Sequence, residues 1–152
     1  MALTEPLHEH HKYCDDLFAG AEAAAAAGDW PAADARLAQF REELENHFHT
    51  EETLLFPSFE AATGMIGGPT QVMRLEHAQM RELVEQMERA LERREGSGFA
   101  GAAETLLILM QQHNLKEENI LYPMCDRGLA SQAEALGTAL QERLKAKCLT
   151  SD

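Results

Sequence analysis

One eleven-residue pattern occurs twice and restricts this chain more than any other feature. His47-Phe48-His49-Thr50-Glu51-Glu52-Thr53-Leu54-Leu55-Phe56-Pro57 and His113-Asn114-Leu115-Lys116-Glu117-Glu118-Asn119-Ile120-Leu121-Tyr122-Pro123 match without a gap. Each reads His-x-x-x-Glu-Glu-x-(Leu/Ile)-Leu-aromatic-Pro. Residues four apart share a helix face, so each copy sets an imidazole beside a carboxylate. Proline cannot donate the helical hydrogen bond, so each copy is expected to kink or end its helix at Pro57 and Pro123.

Each copy continues an apolar seam. In the first the seam is Leu37, Phe40, Leu44, His47, Glu51, Leu54. In the second it is Leu106, Met110, His113, Glu117, Ile120. Two further seams carry a histidine in the same place: Leu7, His11, Cys14, Phe18, Ala21, Ala25 and Met73, His77, Met80, Val84, Met87, Leu91. Ala, Leu, Glu, Gln, Arg and Met dominate, and no alternating strand pattern appears. The expectation is all-α. Helices run from about residue 5 to 27, from 31 to Pro57, from 69 to 94 and from 99 to 122, followed by a short additional C-terminal helix. Gly28-Asp29-Trp30-Pro31, the long loop 63–70 and Glu95-Gly96-Ser97-Gly98 separate the four long ones.

His47 follows His11 by 36 positions, and His113 follows His77 by the same interval. The midpoints fall in the two short breaks. In an antiparallel hairpin, both histidines of a pair then lie at one level, roughly 20–25 Å from the turn at about 1.5 Å per residue. Two such hairpins make an up-down-up-down four-helix bundle with four imidazoles at one level. His10 fits a second register on the first helix and is the alternative to His11. The chain reads as a single domain over 1–152, with the bundle over about 5–125 and a C-terminal extension over about 129–148.

A single seam histidine is ordinarily a hydrogen-bonded core residue. Four matched positions and two buried carboxylates ask for more, because an unpaired buried carboxylate costs several kcal/mol. A metal centre accounts for His11, His47, Glu51, His77, His113 and Glu117 together. Imidazole with carboxylate suits iron, zinc or manganese. Two carboxylates can bridge two ions, with a bridging oxygen species and an open position between them. Glu52 and Glu118 lie about 100° round the helix and read as solvated or supporting groups. His8 and His49 read as exposed, the methionines as core, and Phe56 and Tyr122 as packing at the edge.

These motifs resemble the hemerythrin-like, or HHE cation-binding, domains, whose signature is His, His-x-x-x-Glu, His, His-x-x-x-Glu over four helices. The resemblance covers about residues 5–125. It implies a non-haem centre of two iron ions, bridged by Glu51 and Glu117 and by oxo, hydroxo or water, with the histidines as terminal ligands. The oxygen-carrying hemerythrins have two histidines four apart on the third helix, where this chain has Met73 and His77. They also end the fourth-helix motif with His-x-x-x-x-Asp, where this chain has His113-x-x-x-Glu117. Their fifth histidine has no counterpart here, leaving His10, Glu52, Tyr13 or water to complete the set. Ferritin-like proteins use Glu-x-x-His and more carboxylates, the reverse of the order here.

The expected function is therefore binding or sensing of oxygen or a related diatomic at a di-iron centre, in a binding protein rather than an enzyme. The alternatives are an enzyme acting on peroxide, oxygen or nitric oxide, and an iron-storage or iron-responsive module. The net charge of -13 argues against nucleic acid or an anionic membrane as partner. No protein partner is named by the sequence. Without a visible signal peptide or apolar run of ~20 residues, and with Cys14, Cys125 and Cys148 read as reduced thiols, a cytoplasmic location is expected.

Overall fold

A computed structural model describes residues 2–150, and of residues 145–150 only the backbone. The side chain of Cys148 therefore lies outside the described residues. Every element among them is helical: α1 (Glu5–Ala26), α2 (Trp30–Thr50), α3 (Phe56–Thr63), α4 (Pro69–Glu92), α5 (Gly96–Lys116), α6 (Tyr122–Gly128) and α7 (Ala133–Thr150), with a short 3-10 turn at Ala130–Gln132. No helix among the described residues is long and apolar enough to cross a membrane.

Pro57 and Pro123 do not end their helices. A π-helical turn, Glu51–Leu55, joins α2 to α3, and a second, Glu117–Leu121, joins α5 to α6. The N–H of Phe56 donates to the carbonyl of Glu51, and that of Tyr122 to the carbonyl of Glu117. A proline ring would meet the carbonyl four residues back; the wider turn accommodates it and lets the helix continue. The extra residue also shifts the seam by one. Leu54 is half-buried and Ile120 is 57% exposed, while Leu55 and Leu121 take their expected places in the core.

The four long helices form a closed set of neighbours: α1 packs on α2, α4 on α5, α1 on α5 and α2 on α4. α7 lies against α1 and α2, burying Leu140 and Leu144. Asn46 donates to the Arg143 carbonyl at 3.2 Å, and Arg143 to Thr53 Oγ1 at 2.8 Å, which fixes α7 beside the first motif. Two apolar clusters fill the interior. One includes Phe18, Phe40, Met80, Met87, Phe99 and Leu106; the other includes Leu7, Leu55, Phe59, Met73, Leu121 and Leu140. On α1 and α4 the histidines fall between residues of the two clusters, so the histidine layer lies between two apolar plugs.

The two hairpins are related by a constant offset of 66 positions, and the offset reaches their turns. Gly28 (φ +73°) and Arg94 (φ +56°) hold corresponding left-handed positions. Arg94 has a second reason to be there. Its guanidinium donates to both Asp34 oxygens, at 3.0 and 3.1 Å, and lies 5.8 Å from the Trp30 ring. Gly28 has no such compensation and nothing near a Cβ position. Gly28→Ala is therefore expected to cost about 1–2 kcal/mol through backbone strain alone, read as a lower Tm with unchanged metal content.

Candidate metal centre

The π turns decide where the motif carboxylates go. Glu51 and Glu117 open those turns, one helical turn after His47 and His113, and both are fully buried. Glu51 straddles the layer: Oε1 is 3.1 Å from His77 Nε2, and Oε2 is 3.6 Å from His47 Nε2. Glu117 does the same with one oxygen, Oε1 lying 3.0 Å from His11 Nε2 and 3.3 Å from His113 Nε2. Four donor atoms from Glu51, His77, His113 and Glu117 lie within 4.8 Å of one another, and so do three from His11, His47 and Glu117. Glu117 belongs to both groups.

His11 Nε2 and Glu117 Oε1 are hydrogen-bonded, but not every approach in the layer is. Glu51 Oε1, His77 Nε2, His113 Nε2 and Glu117 Oε2 are buried and have no hydrogen-bond partner among the described residues. Each belongs to a residue of the four-donor group. They approach one another without pointing at one another, as donors do around a cation. Buried polar atoms are normally paired, and the cost of leaving four unpaired in one place is offset if a metal ion takes them. Nitrogen and carboxylate donors of this kind fit iron.

Each histidine is held from behind through Nδ1. His77 Nδ1 meets Glu52 Oε2 at 2.8 Å, His113 Nδ1 meets Glu76 Oε1 at 2.8 Å, and His11 Nδ1 meets Glu118 Oε2 at 2.7 Å. His47 Nδ1 meets His10 Nδ1 at 2.9 Å, and His10 Nε2 meets Glu43 Oε1 at 3.0 Å. A carboxylate behind Nδ1 keeps the proton there and leaves the Nε2 lone pair for a metal. Each motif's second glutamate thus serves the other hairpin: Glu52 holds His77, and Glu118 holds His11. Glu52 is itself gripped by both Arg81 nitrogens at 3.0 Å.

The charges follow from these contacts. Burial disfavours the imidazolium of His11, but hydrogen bonds to Glu117 and Glu118 outweigh it and push the pKa up to about 10. Burial likewise opposes charge on His77, and Glu51 and Glu52 raise it to about 9. His113 is raised by the Glu117 charge against its burial. Burial, then His47 and His11, lower His10 to about 3, and burial lowers His47. Glu51 is driven up by burial but held well below the usual carboxylate range, chiefly by His47.

Tyr122 is a site residue that sequence reasoning placed at the edge. Its hydroxyl donates to Glu51 Oε2 at 2.7 Å and lies 3.1 Å from Glu117 Oε1, 3.3 Å from His11 Nε2 and 3.4 Å from His47 Nε2. Burial, then the Glu117 and Glu51 charges, push its phenol well above the ordinary value, so it stays protonated and donates. Its ring stacks on His11 at 5.7 Å, as the Phe56 ring stacks on His77 at 5.8 Å. The readable signal was the single hydroxyl by which the two motif copies differ at this position.

The family described as hemerythrin HHE cation binding domain matches residues 2–125. The chain belongs to this family. Two relatives, each called iron-sulfur cluster repair protein YtfE, come from Yersinia pseudotuberculosis serotype IB (strain PB1/+) and Yersinia pestis (strain Pestoides F). They are 34% and 33% identical over 104 residues, covering 62% of this chain and 47% of each relative. The chain thus spans about half the length of these relatives. No solved structure matches.

Within this hemerythrin HHE chain, the six seam residues His11, His47, Glu51, His77, His113 and Glu117 converge in one layer. His10 does not join either donor group; it lies behind His47. Of the other candidates for the carriers' fifth histidine, Glu52 lies behind His77, and the Tyr13 hydroxyl accepts from Gln39 at 3.4 Å. Met73 is buried in the apolar cluster beyond the layer. His49 is exposed and His8 half-buried. Cys14 and Cys125 are buried and not disulfide-bonded.

Proposed function

We propose that this chain holds two iron ions at the centre of an up-down-up-down four-helix bundle, and that the centre takes up a small inorganic ligand such as oxygen or nitric oxide. One ion would take His77 and His113, the other His11 and His47, with Glu51 and Glu117 shared between them. The observation that carries this reading is the set of four orphaned donor atoms in residues that include both shared carboxylates. Iron supplies the redox change and the open coordination position.

The protein's own groups determine what can reach that position. The donor residues are almost wholly buried, so only a molecule of a few atoms fits without rearranging the bundle. Tyr122 aims a protonated hydroxyl between His11 and His47, where it can donate to a ligand arriving on that side. Glu51, its present acceptor, is held ionised and can take that hydrogen bond back. Zinc and manganese fit the same donors and are the controls.

A nitric oxide role is favoured over oxygen carriage by the name of the relatives, iron-sulfur cluster repair protein, because cluster damage and nitrosative stress share iron–nitrosyl chemistry. Repair or iron delivery is the second reading, in a cytoplasmic setting consistent with cysteines outside any disulfide. Protein purified without added metal should contain iron at two equivalents per chain. Titration of the ferrous protein with nitric oxide under argon should give a new absorption band that saturates. A single tightly bound zinc, or a ferrous spectrum unaltered by nitric oxide, would count against the reading. Transfer of iron to a competing apo cluster protein tests the second.

A further inference from the structure

The internal repeat breaks behind the histidine layer, at buried His10. The offset of 66 maps His11 on His77, His47 on His113 and Glu51 on Glu117, and it maps His10 on Glu76. Both precede a site histidine, and both sit behind the motif histidine of their own hairpin. Glu76 meets His113 Nδ1 directly, whereas His10 meets His47 Nδ1 and passes the contact on to Glu43.

We propose that His10 and Glu43 are positioning residues for one of the two metal ions only, fixing through two imidazole rings the lone pair that His47 offers it. The inference rests on the two-ion reading above. The relay runs one way when Glu43 is ionised: the carboxylate then only accepts, and His10 Nε2 donates to it at 3.0 Å. Neutral His10 then has its lone pair at Nδ1 and accepts from His47 Nδ1–H. Neutral His47 in turn has its lone pair at Nε2, on the side of Glu51 and Tyr122. Reversing any link would put a proton on His47 Nε2 and block a metal. Cys14 Sγ lies 3.7 Å from His10 Nδ1 and the Tyr13 ring lies tilted 5.9 Å from its ring, which helps hold it.

The other half of the centre needs no such relay, since Glu52 and Glu76 hold its two histidines directly. The geometry therefore makes the two positions separately adjustable. The test is stepwise calorimetric titration of metal-free protein with ferrous iron under argon at one fixed pH. Loss of such an outer partner costs about 10–100-fold in metal affinity. His10→Phe keeps a ring but removes the acceptor, and is expected to weaken one of the two steps by that factor. His10→Asn keeps an acceptor near the Nδ1 place and should restore the step. Glu76→Leu should weaken the other step instead. Should His10→Phe fail to reach wild-type helicity, Glu43→Leu against Glu43→Gln makes the same comparison from the far end.

Two unchanged steps in His10→Phe and Glu43→Leu, or both steps weakened alike, would overturn the inference while leaving the two-ion centre intact. A wild-type chain that binds no iron would instead remove the reading on which it rests.

Discussion

Glu117→Ala is expected to strip one ion and weaken the other, taking iron content from about two equivalents to about one or less, whereas Glu118→Ala leaves both in place. The two glutamates are neighbours in sequence and differ in what they reach. Glu117 is wholly buried, with Oε1 between His11 and His113 and Oε2 unpaired. It belongs to both donor groups, so its loss leaves one with three residues and the other with two. Two imidazoles without a carboxylate hold a ferrous ion poorly, since hard oxygen donors supply much of the charge compensation. Glu118 is partly exposed and touches His11 only from behind, so its loss should weaken one ion by about 10–100-fold. Metal analysis after desalting separates these outcomes, with circular dichroism of the metal-free variants as the check on folding. Equal iron in Glu117→Ala and wild type would refute the shared-carboxylate arrangement.

The contrast between adjacent glutamates shows what the sequence could reveal. Four matched histidine seams were enough to assemble the layer, because helical periodicity alone puts His11, His47, His77 and His113 at one level. The choice of His11 over His10 also followed from periodicity, through the interval shared with the second hairpin. The path of the chain after Glu51 and Glu117 did not. A π turn leaves no compositional mark, and proline usually signals a stop, so the seam slipped by one and Leu54 and Ile120 were assigned the places of Leu55 and Leu121.

The groups behind the histidines were harder still. Glu43 and Glu76 resemble the many exposed acids of a chain with 26 acidic residues, and only three-dimensional packing separates them. The repeat contained a usable hint: His10 and Glu76 correspond, and their exchange marks a place where the two halves differ. Tyr122 carried a similar hint against Phe56. Where two copies of a motif are otherwise matched, their polar differences deserved more weight than their packing value.

The metal-free protein should be most stable near pH 6.5 and lose stability on both sides, while iron reverses the alkaline limb. His11 and His77 have folded-state values of about 10 and 9 against an ordinary 6.5. A raised histidine contributes its full stabilisation below 6.5, where folded and unfolded chains are both protonated. That contribution is lost as pH climbs towards 9–10, because the folded state alone retains the protons. The slope is about 1.4 kcal/mol per pH unit for each proton retained. His10, lowered to about 3, acts oppositely: it stays neutral when folded, so stability falls as pH drops below 6.5. His47, lowered by burial, adds to that acid limb. Iron must displace the protons on His11 and His77 to reach their nitrogens, so binding at pH 7 should release about two protons. Calorimetry in buffers of different ionisation enthalpy counts them, and denaturation of metal-free protein at pH 6.5 and 8 follows the slope. Metal-free stability that is flat or rises over that interval, together with no buffer dependence of the binding heat, would mean the imidazolium–carboxylate pairs are not what holds the layer before iron arrives.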